Sequence, residues 1–322
     1  MAGSRNKPFT DPISAAVDAC LSRHCRAGQS AVVGYSGGLD STVLLHAAKR
    51  ASVAFGLGLS ALHIHHGLSP NANTWAVRCG EVCQAMDIPL VVTEVVVPER
   101  SGEGLEAAAR RVRHKALAEH PANWVLLGHH ADDQAETILH NLLRGTGVRG
   151  AAAMPEFRGR VLRPLLAVSR ETIEEYGQAR HLKWIEDESN SDTRYTRNFL
   201  RREILPAISL RFPGAGEQLA AAALRFGEAS ELLDELALID LRGNASGFPQ
   251  RLGLFRELSD ARARNLLRAM LTWQQVQPPD ERRLNEFVRQ LHTAGTDRHP
   301  RIDLPAYSLW CEAGQLHFRK SG

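Results

Sequence analysis

The chain is 322 residues long, 43% hydrophobic and 23% charged, with a formal net charge of only +3. That is enough apolar content for a full globular core, most naturally two domains, and it excludes a disordered chain. No run of eighteen apolar residues occurs, which excludes a membrane-spanning helix. The opening MAGSRNKPFTDP carries no apolar segment of a secretory signal, so a cytoplasmic protein with no membrane partner is expected. Five scattered cysteines, at 20, 25, 79, 83 and 311, form no C-x-x-C pair and no disulfide framework, which makes reduced thiols the expectation. Arginine outweighs lysine and clusters locally, so RNA or another polyanion would meet patches rather than a uniformly basic surface.

The first predicted strand, SAVVGYS, runs into the glycine-rich turn of VVGYSGGLDSTVLL and then into a helix. A strand that feeds a helix through such a turn offers unpaired N–H groups and the positive end of the helix dipole, a site for phosphate. A Walker A loop would end in Lys-Ser/Thr, whereas Gly38 is followed by Leu39, Asp40 and Ser41. A carboxylate beside phosphates is repulsive unless a divalent cation stands between them, so Asp40 implies a Mg2+-nucleotide. The alternative is that Asp40 only caps the helix.

Three more apolar runs follow, LSALHIHHG, PLVVTEVVV and NWVLLGHH, separated by helical patterns that include EAAARRVRHKAL. This alternation predicts an α/β fold with a Rossmann-like parallel sheet and helices on both faces. In such sheets ligands bind at the carboxyl ends of strands, where Ser36, His65 and His129 emerge. After NWVLLGHH, the segment ADDQAETILH adds Asp132 and Asp133 to His129 and His130 at a helix start. Asp133 and Glu136 have the spacing of a capping pair, yet this crowd of titratable groups exceeds what a cap needs. Histidines beside carboxylates also suit zinc, as in a metallohydrolase, although no spacing here matches a zinc scaffold. SRETIEEYGQARHL and TRYTRNFLRREILPAI read as helices around the polar loop EDESNSD, with Pro206 interrupting or ending the second. A boundary near 211–216 separates a catalytic domain, 1–213, from a smaller, mainly helical α+β domain, 214–322. That second domain consists of the long helix EQLAAAALRFGEASELLDELALIDL, two helices around PPDE, and a hairpin in YSLWCEAGQLHFRK.

YSGGLDS resembles the S-G-G-x-D-S signature of the PP-loop, or N-type, ATP pyrophosphatases, which split ATP to AMP and pyrophosphate. HIHHGLSPNANTWAVRC, EAAARRVRHKAL, GHHADDQAETILHNLLRGTGVRGAAAMP and DESNSDTRYTRNFLRREILP extend the resemblance, from Ala31 to Pro206, to the bacterial tRNA(Ile)-lysidine synthetases. His65 departs from the aspartate, and His114 from the tyrosine, common at those positions of that family. The resemblance implies ATP and Mg2+, free L-lysine as co-substrate, and tRNA(Ile) with a CAU anticodon. Its wobble cytidine would be adenylated and then joined to lysine; a homodimer is compatible with this reading. By motif position, Ser36, Gly37, Gly38, Asp40, Ser41 and Arg110 are expected at ATP. Asp40, Arg113, His129 and Asp133 are the expected catalytic groups, with Asp40 and Asp133 at the metal. Glu136 is the candidate for the lysine ammonium, with capping as its alternative. Arg194, Arg197, Arg201 and Arg202, interleaved with Tyr195 and Phe199, are expected to hold tRNA. Another tRNA-modifying enzyme of the superfamily, such as a 2-thiolase, and a non-catalytic RNA-binding relative are the competing readings. The absence of paired cysteines argues against the first.

Overall fold

In the computed structural model, which describes residues 11–67, 69–98, 105–186, 193–242, 247–293 and 299–321, the chain divides into two units, Met1–Gly227 and Glu228–Gly322. The first begins with α1 (Pro12–His24), capped by the Asp11 carboxylate, which accepts from Ser14 N at 2.8 Å. Pro12 fits its first turn, where no N–H is needed. There follow β1 (Ser30–Gly34), α2 (Leu39–Phe55), β2 (Gly58–His65), α3 (Ala72–Ala85), β3 (Leu90–Glu94), α4 (Leu105–Glu119) and β4 (Trp124–Leu126). Then come α5 (Ala131–Leu143), a short α6 (Val148–Ala151), β5 (Phe157–Arg158), β6 (Val161–Leu162) and α7 (Arg170–Ala179). The strands form one sheet in the order β3-β2-β1-β4-β6-β5, parallel throughout except for β5 against β6.

The strands bury both faces. Ala31, Val33, Ala61 and Leu126 pack into one core with α1, α2, α3 and α7, while Val32, Leu62 and Val125 pack into a second with Leu117 of α4. This period-2 division explains why the strands read as continuous apolar runs rather than as alternating ones. β1 lies between β2 and β4, so the chain leaves it in opposite directions on its two sides. The loops after β1 and β4 therefore open at a topological switch point, where α/β sheets bind ligands.

Pro206 does not end the helix that precedes it. α8 (Thr196–Phe199) widens into a π-helical segment, Leu200–Ile204, and continues as α9 (Leu205–Arg211) with Pro206 in its first turn. A proline lacks the N–H and crowds the carbonyl four residues back, and the wider turn immediately before it relieves both problems. The expected loop 186–192 lies outside the described residues except for Glu186. α10 (Ala215–Asp240) follows, and the two units divide inside this helix, between Gly227 and Glu228, whereas the sequence placed the boundary at the turn before it.

The second unit adds β7 (Gln250–Arg251), α11 (Leu252–Glu257), α12 (Asp260–Trp273), α13 (Glu281–Thr293), β8 (Arg301–Leu304), β9 (Tyr307–Glu312) and β10 (Gln315–Lys320). Leu284, Phe287, Val288 and Leu291 form the buried stripe of α13 and meet Leu266, Leu267 and Met270 of α12 and Leu309 and Leu316 of the sheet. The sheet order is β7-β10-β9-β8. The expected hairpin is β9–β10, closed by Ala313 and Gly314 at φ 48 and 76, the left-handed pair that a two-residue hairpin turn requires. Among the described residues no helix is long and apolar enough to cross a membrane. The five cysteines are buried free thiols.

Candidate active site

The loop after β1 is shaped by its glycines and hydroxyls. Gly37 has φ +84, and a Cβ there would lie 2.6 Å from Ile185 Cδ1 and 2.9 Å from Cys79 Sγ. Gly38 N donates to Ser36 Oγ at 3.3 Å, and Ser41 Oγ, 3.1 Å from Ser36 Oγ, donates to Gly38 O at 3.0 Å. The N-cap of α2 is Gly38 and no side chain caps the helix. Asp40 therefore sits inside the first turn without a capping bond, which removes the capping alternative and leaves the first-turn N–H groups for an anion.

The loop after β4 closes directly on this turn. A Cβ on Gly128 would lie 3.0 Å from the Asp40 carbonyl atoms and 3.2 Å from Ser41 N, so any larger residue would push this backbone apart. His130, fully buried, is the N-cap of α5, and its N–H donates to Asp133 Oδ2 at 3.0 Å. The capping pair is thus His130 with Asp133, not Asp133 with Glu136. The His130 ring stands among three carboxylates: Asp132 at 3.4 Å from Nδ1, Asp133 at 3.4 Å and Asp40 at 3.7 Å from Nε2. Burial opposes charge on His130, but the nearby carboxylates of Asp132, Asp133 and Asp40 together hold its pKa above the ordinary histidine value. Burial raises Asp40, with His130 and Arg170 pulling the other way. Asp133 is held low despite burial by His130, His129 and Arg201.

His129 has the opposite character. Burial pushes it down to about 3, reinforced by Arg163, Arg110 and Arg113 and opposed by Asp133. Arg163 Nε donates to its Nδ1 at 3.2 Å, which makes Nδ1 the acceptor and places the proton of the neutral ring on Nε2. Arg201, from the π-helical segment, donates to Asp133 Oδ1 at 2.9 Å and to Glu136 Oε1. Glu136 is buried, and that burial raises its carboxyl against the pull of Arg201.

A cleft of about 400 Å³ gathers Ser36, Gly38, Asp40, Ser41, Arg110, Arg113, His129, Asp133, Glu136, Arg197 and Arg201. Gly37 lies beneath it, against Ile185 and Cys79. The predicted basic patch is divided. Arg197 and Arg201 line the cleft, while Arg194 and Arg202 are exposed and do not. Sequence reasoning placed His130 in the crowd without giving it a role, and missed two contributors: Arg163, and Arg170, whose N–H donates to Asp132 Oδ2 at 2.9 Å and whose Nη1 stands 4.0 Å from Asp40. Arg163 had a signal, being a single charge inside the apolar run VLRPLL.

The donor set suits a hard cation. Asp40 Oδ1 is buried with no hydrogen-bond partner, an open lone pair beside the phosphate turn. Both oxygens of Asp133 are engaged, one by Arg201 and one by His130 N.

Fold and cleft together define an ATP-using PP-loop enzyme. A PP-loop domain model matches residues 11–208, and a TilS substrate binding domain model matches residues 251–317. The tRNA(Ile)-lysidine synthase of Azoarcus sp. (strain BH72) is 42% identical over 316 residues, covering 96% of this chain and 67% of that protein. That of Aromatoleum aromaticum is 46% identical over 287 residues, covering 88% and 66%. This chain belongs to the tRNA(Ile)-lysidine synthase family and spans about two thirds of the length of these curated relatives. The U34-tRNA thiolase NcsA of Methanococcus maripaludis shares the fold, with 16% identity and a TM-score of 0.55 over 67% of this chain and 78% of that one.

Proposed function

We propose that this chain joins free L-lysine to C2 of the wobble cytidine of a CAU-anticodon isoleucine tRNA, in the cytoplasm, through an adenylated cytidine. Family membership supports the reaction class. The observation that carries the proposal is that one cleft holds both a pyrophosphate turn and an acid pair, half-buried Asp133 and buried Glu136, already occupied by a cation, the Arg201 guanidinium. An ammonium ion needs the same partners.

In the first step the cytosine O2 attacks the α-phosphorus and pyrophosphate leaves. The turn of Ser36, Gly37, Gly38 and Ser41 receives that pyrophosphate on N–H and hydroxyl donors. Arg110 and Arg113, with neutral His129 donating from Nε2, stabilise charge at the α-phosphate. Mg2+ would be held by Asp40, with Asp133 close by, and would screen carboxylate from phosphate. In the second step a neutral lysine amine adds at C2, AMP leaves and one proton is lost. Glu136, its carboxyl raised by burial, is placed to take that proton once Arg201 is displaced. Exposed Arg194 and Arg202 would grip tRNA phosphates. In the second unit, the cross-strand stack of Trp310 on His317, with ring centroids 5.3 Å apart and Arg319 over Trp310, offers a base-stacking platform. None of the five cysteines lines the cleft, so no thiol stands ready there for sulfur transfer.

The test omits lysine. With ATP and tRNA alone, wild type and Glu136→Gln should accumulate adenylated tRNA, and Asp133→Asn should not. Glu136→Gln should then need more lysine to complete the reaction. Release of ADP, or equal loss of both steps in the two variants, would contradict this assignment of roles.

A further inference from the structure

α1, which packs against α2, presents Cys20 and His24, four residues apart and therefore on one face of the helix. Cys20 is fully buried, whereas His24 at the helix end is partly open. The segment leading into β5 brings Glu156 to them. One ligand atom from each of the three residues lies within 4.8 Å of the other two. His24 Nε2 and Glu156 Oε1 are already 3.1 Å apart. A tetrahedral zinc ion with bonds of about 2.0–2.3 Å sets its ligand atoms roughly 3.5 Å apart, so small side-chain adjustments would complete the set.

We propose that Cys20, His24 and Glu156 form a binding site for a thiophilic divalent cation such as Zn2+, separate from the nucleotide cleft. The surroundings have the form of a supported ligand set. Arg23 holds Glu156 Oε2 at 2.7 Å, which fixes the carboxylate and turns Oε1 toward His24. Phe157 stacks on the His24 ring at 5.0 Å, and Trp124 meets Phe157 edge-on at 6.1 Å, so the imidazole plane is set by packing. The ion pair with Arg23 and the bond to His24 explain Glu156 and His24 without a metal. They do not explain a fully buried thiol whose sulfur stands within 4.8 Å of both groups. On coordination the S–H bond is replaced by a sulfur–metal bond, and the proton leaves to solvent. Thiolate and carboxylate together balance the dication, and the partly open side of the trio leaves the fourth position to water.

Occupancy reaches the active site through the backbone. Glu156 O accepts from Arg163 N at 2.9 Å, Pro155 O accepts from Arg163 Nη1 at 2.8 Å, and Arg163 Nε donates to His129. A cation at the trio would fasten α1 to the segment that backs Arg163 and His129, which makes these three positioning residues rather than catalytic ones. Mg2+ prefers oxygen ligands and would not compete for the thiolate.

The experiment uses the full chain, stripped of metal, with Zn2+ titrated against a chromogenic chelator and Co2+ as the spectroscopic probe. One Zn2+ per chain should bind and resist excess Mg2+, and Co2+ should give a thiolate charge-transfer band with the visible bands of a tetrahedral ion. Cys20→Ser should lose the charge-transfer band. Glu156→Gln, whose side chain is partly exposed, should weaken Zn2+ roughly tenfold or more. His65→Asn, which alters the other histidine cluster, should leave Zn2+ binding unchanged. Absence of the thiolate band in wild type, or equal Zn2+ affinity in Glu156→Gln, would overturn the proposal even if Cys20→Ser failed to fold.

Discussion

Asp40 and His129 show what single side chains contribute. Because Asp40 caps nothing and keeps one oxygen without a hydrogen bond, Asp40→Asn should fold normally, yet lower ATP-dependent adenylation by roughly 100-fold or more, as expected when a cation loses its charged ligand. Near-normal adenylation rates would contradict a metal role, since asparagine serves equally well at helix starts. His129 is held at about 3 by burial, well under the roughly 6.5 of an unfolded histidine. The unfolded chain therefore takes up this proton first. The stability that neutral His129 supplies is complete above about pH 6.5 and is lost as pH falls toward its folded value. Denaturant unfolding should accordingly show His129→Gln losing less stability than wild type between pH 7 and 5, and parallel losses would contradict the assignment. At this scale the sequence revealed the groups that crowd a motif, Asp40, His129, Asp133 and Glu136. It hid those delivered from a distance. Arg163 reaches His129 across 34 residues, and Arg201 is set on the acid pair by a π-helical turn that no sequence period announces.

Among the elements, the four longer parallel strands were legible because each is an apolar run ending in a turn or a polar cluster. β5, β6 and β7 were not, since two residues carry no periodicity. Pro206 interrupts the regular α-helix without ending it, because the widened turn before it accommodates the ring, a device that propensity rules do not see. The close backbone approach of Gly128 to the start of α2 gives a direct test. In Gly128→Ala the new methyl meets backbone atoms of Asp40 and Ser41, which cannot swing away as a side chain would. Stability should fall by about 1–3 kcal/mol with unchanged secondary structure by circular dichroism, and adenylation should drop at least tenfold. Wild-type adenylation kinetics would show that the β4–α5 loop does not position the phosphate turn.

For the whole molecule, the proposed function divides labour between a cleft for the chemistry and basic and aromatic surfaces that would hold the tRNA in register. Phosphate contacts carry the salt dependence of binding. Replacing the exposed Arg194 and Arg202 together with alanine should weaken tRNA binding and flatten the slope of log affinity against log salt by about 1–2, with ATP affinity unchanged. An unaltered slope would place the tRNA contacts elsewhere. The central claim is lysine transfer itself. The full chain should be incubated with labelled lysine, ATP and CAU-anticodon isoleucine tRNA, and the nucleosides then resolved by mass. One lysine should be joined to the wobble cytidine for each AMP and pyrophosphate released. A sulfur-sized increment, or ATP turnover with the cytidine unchanged, would contradict it.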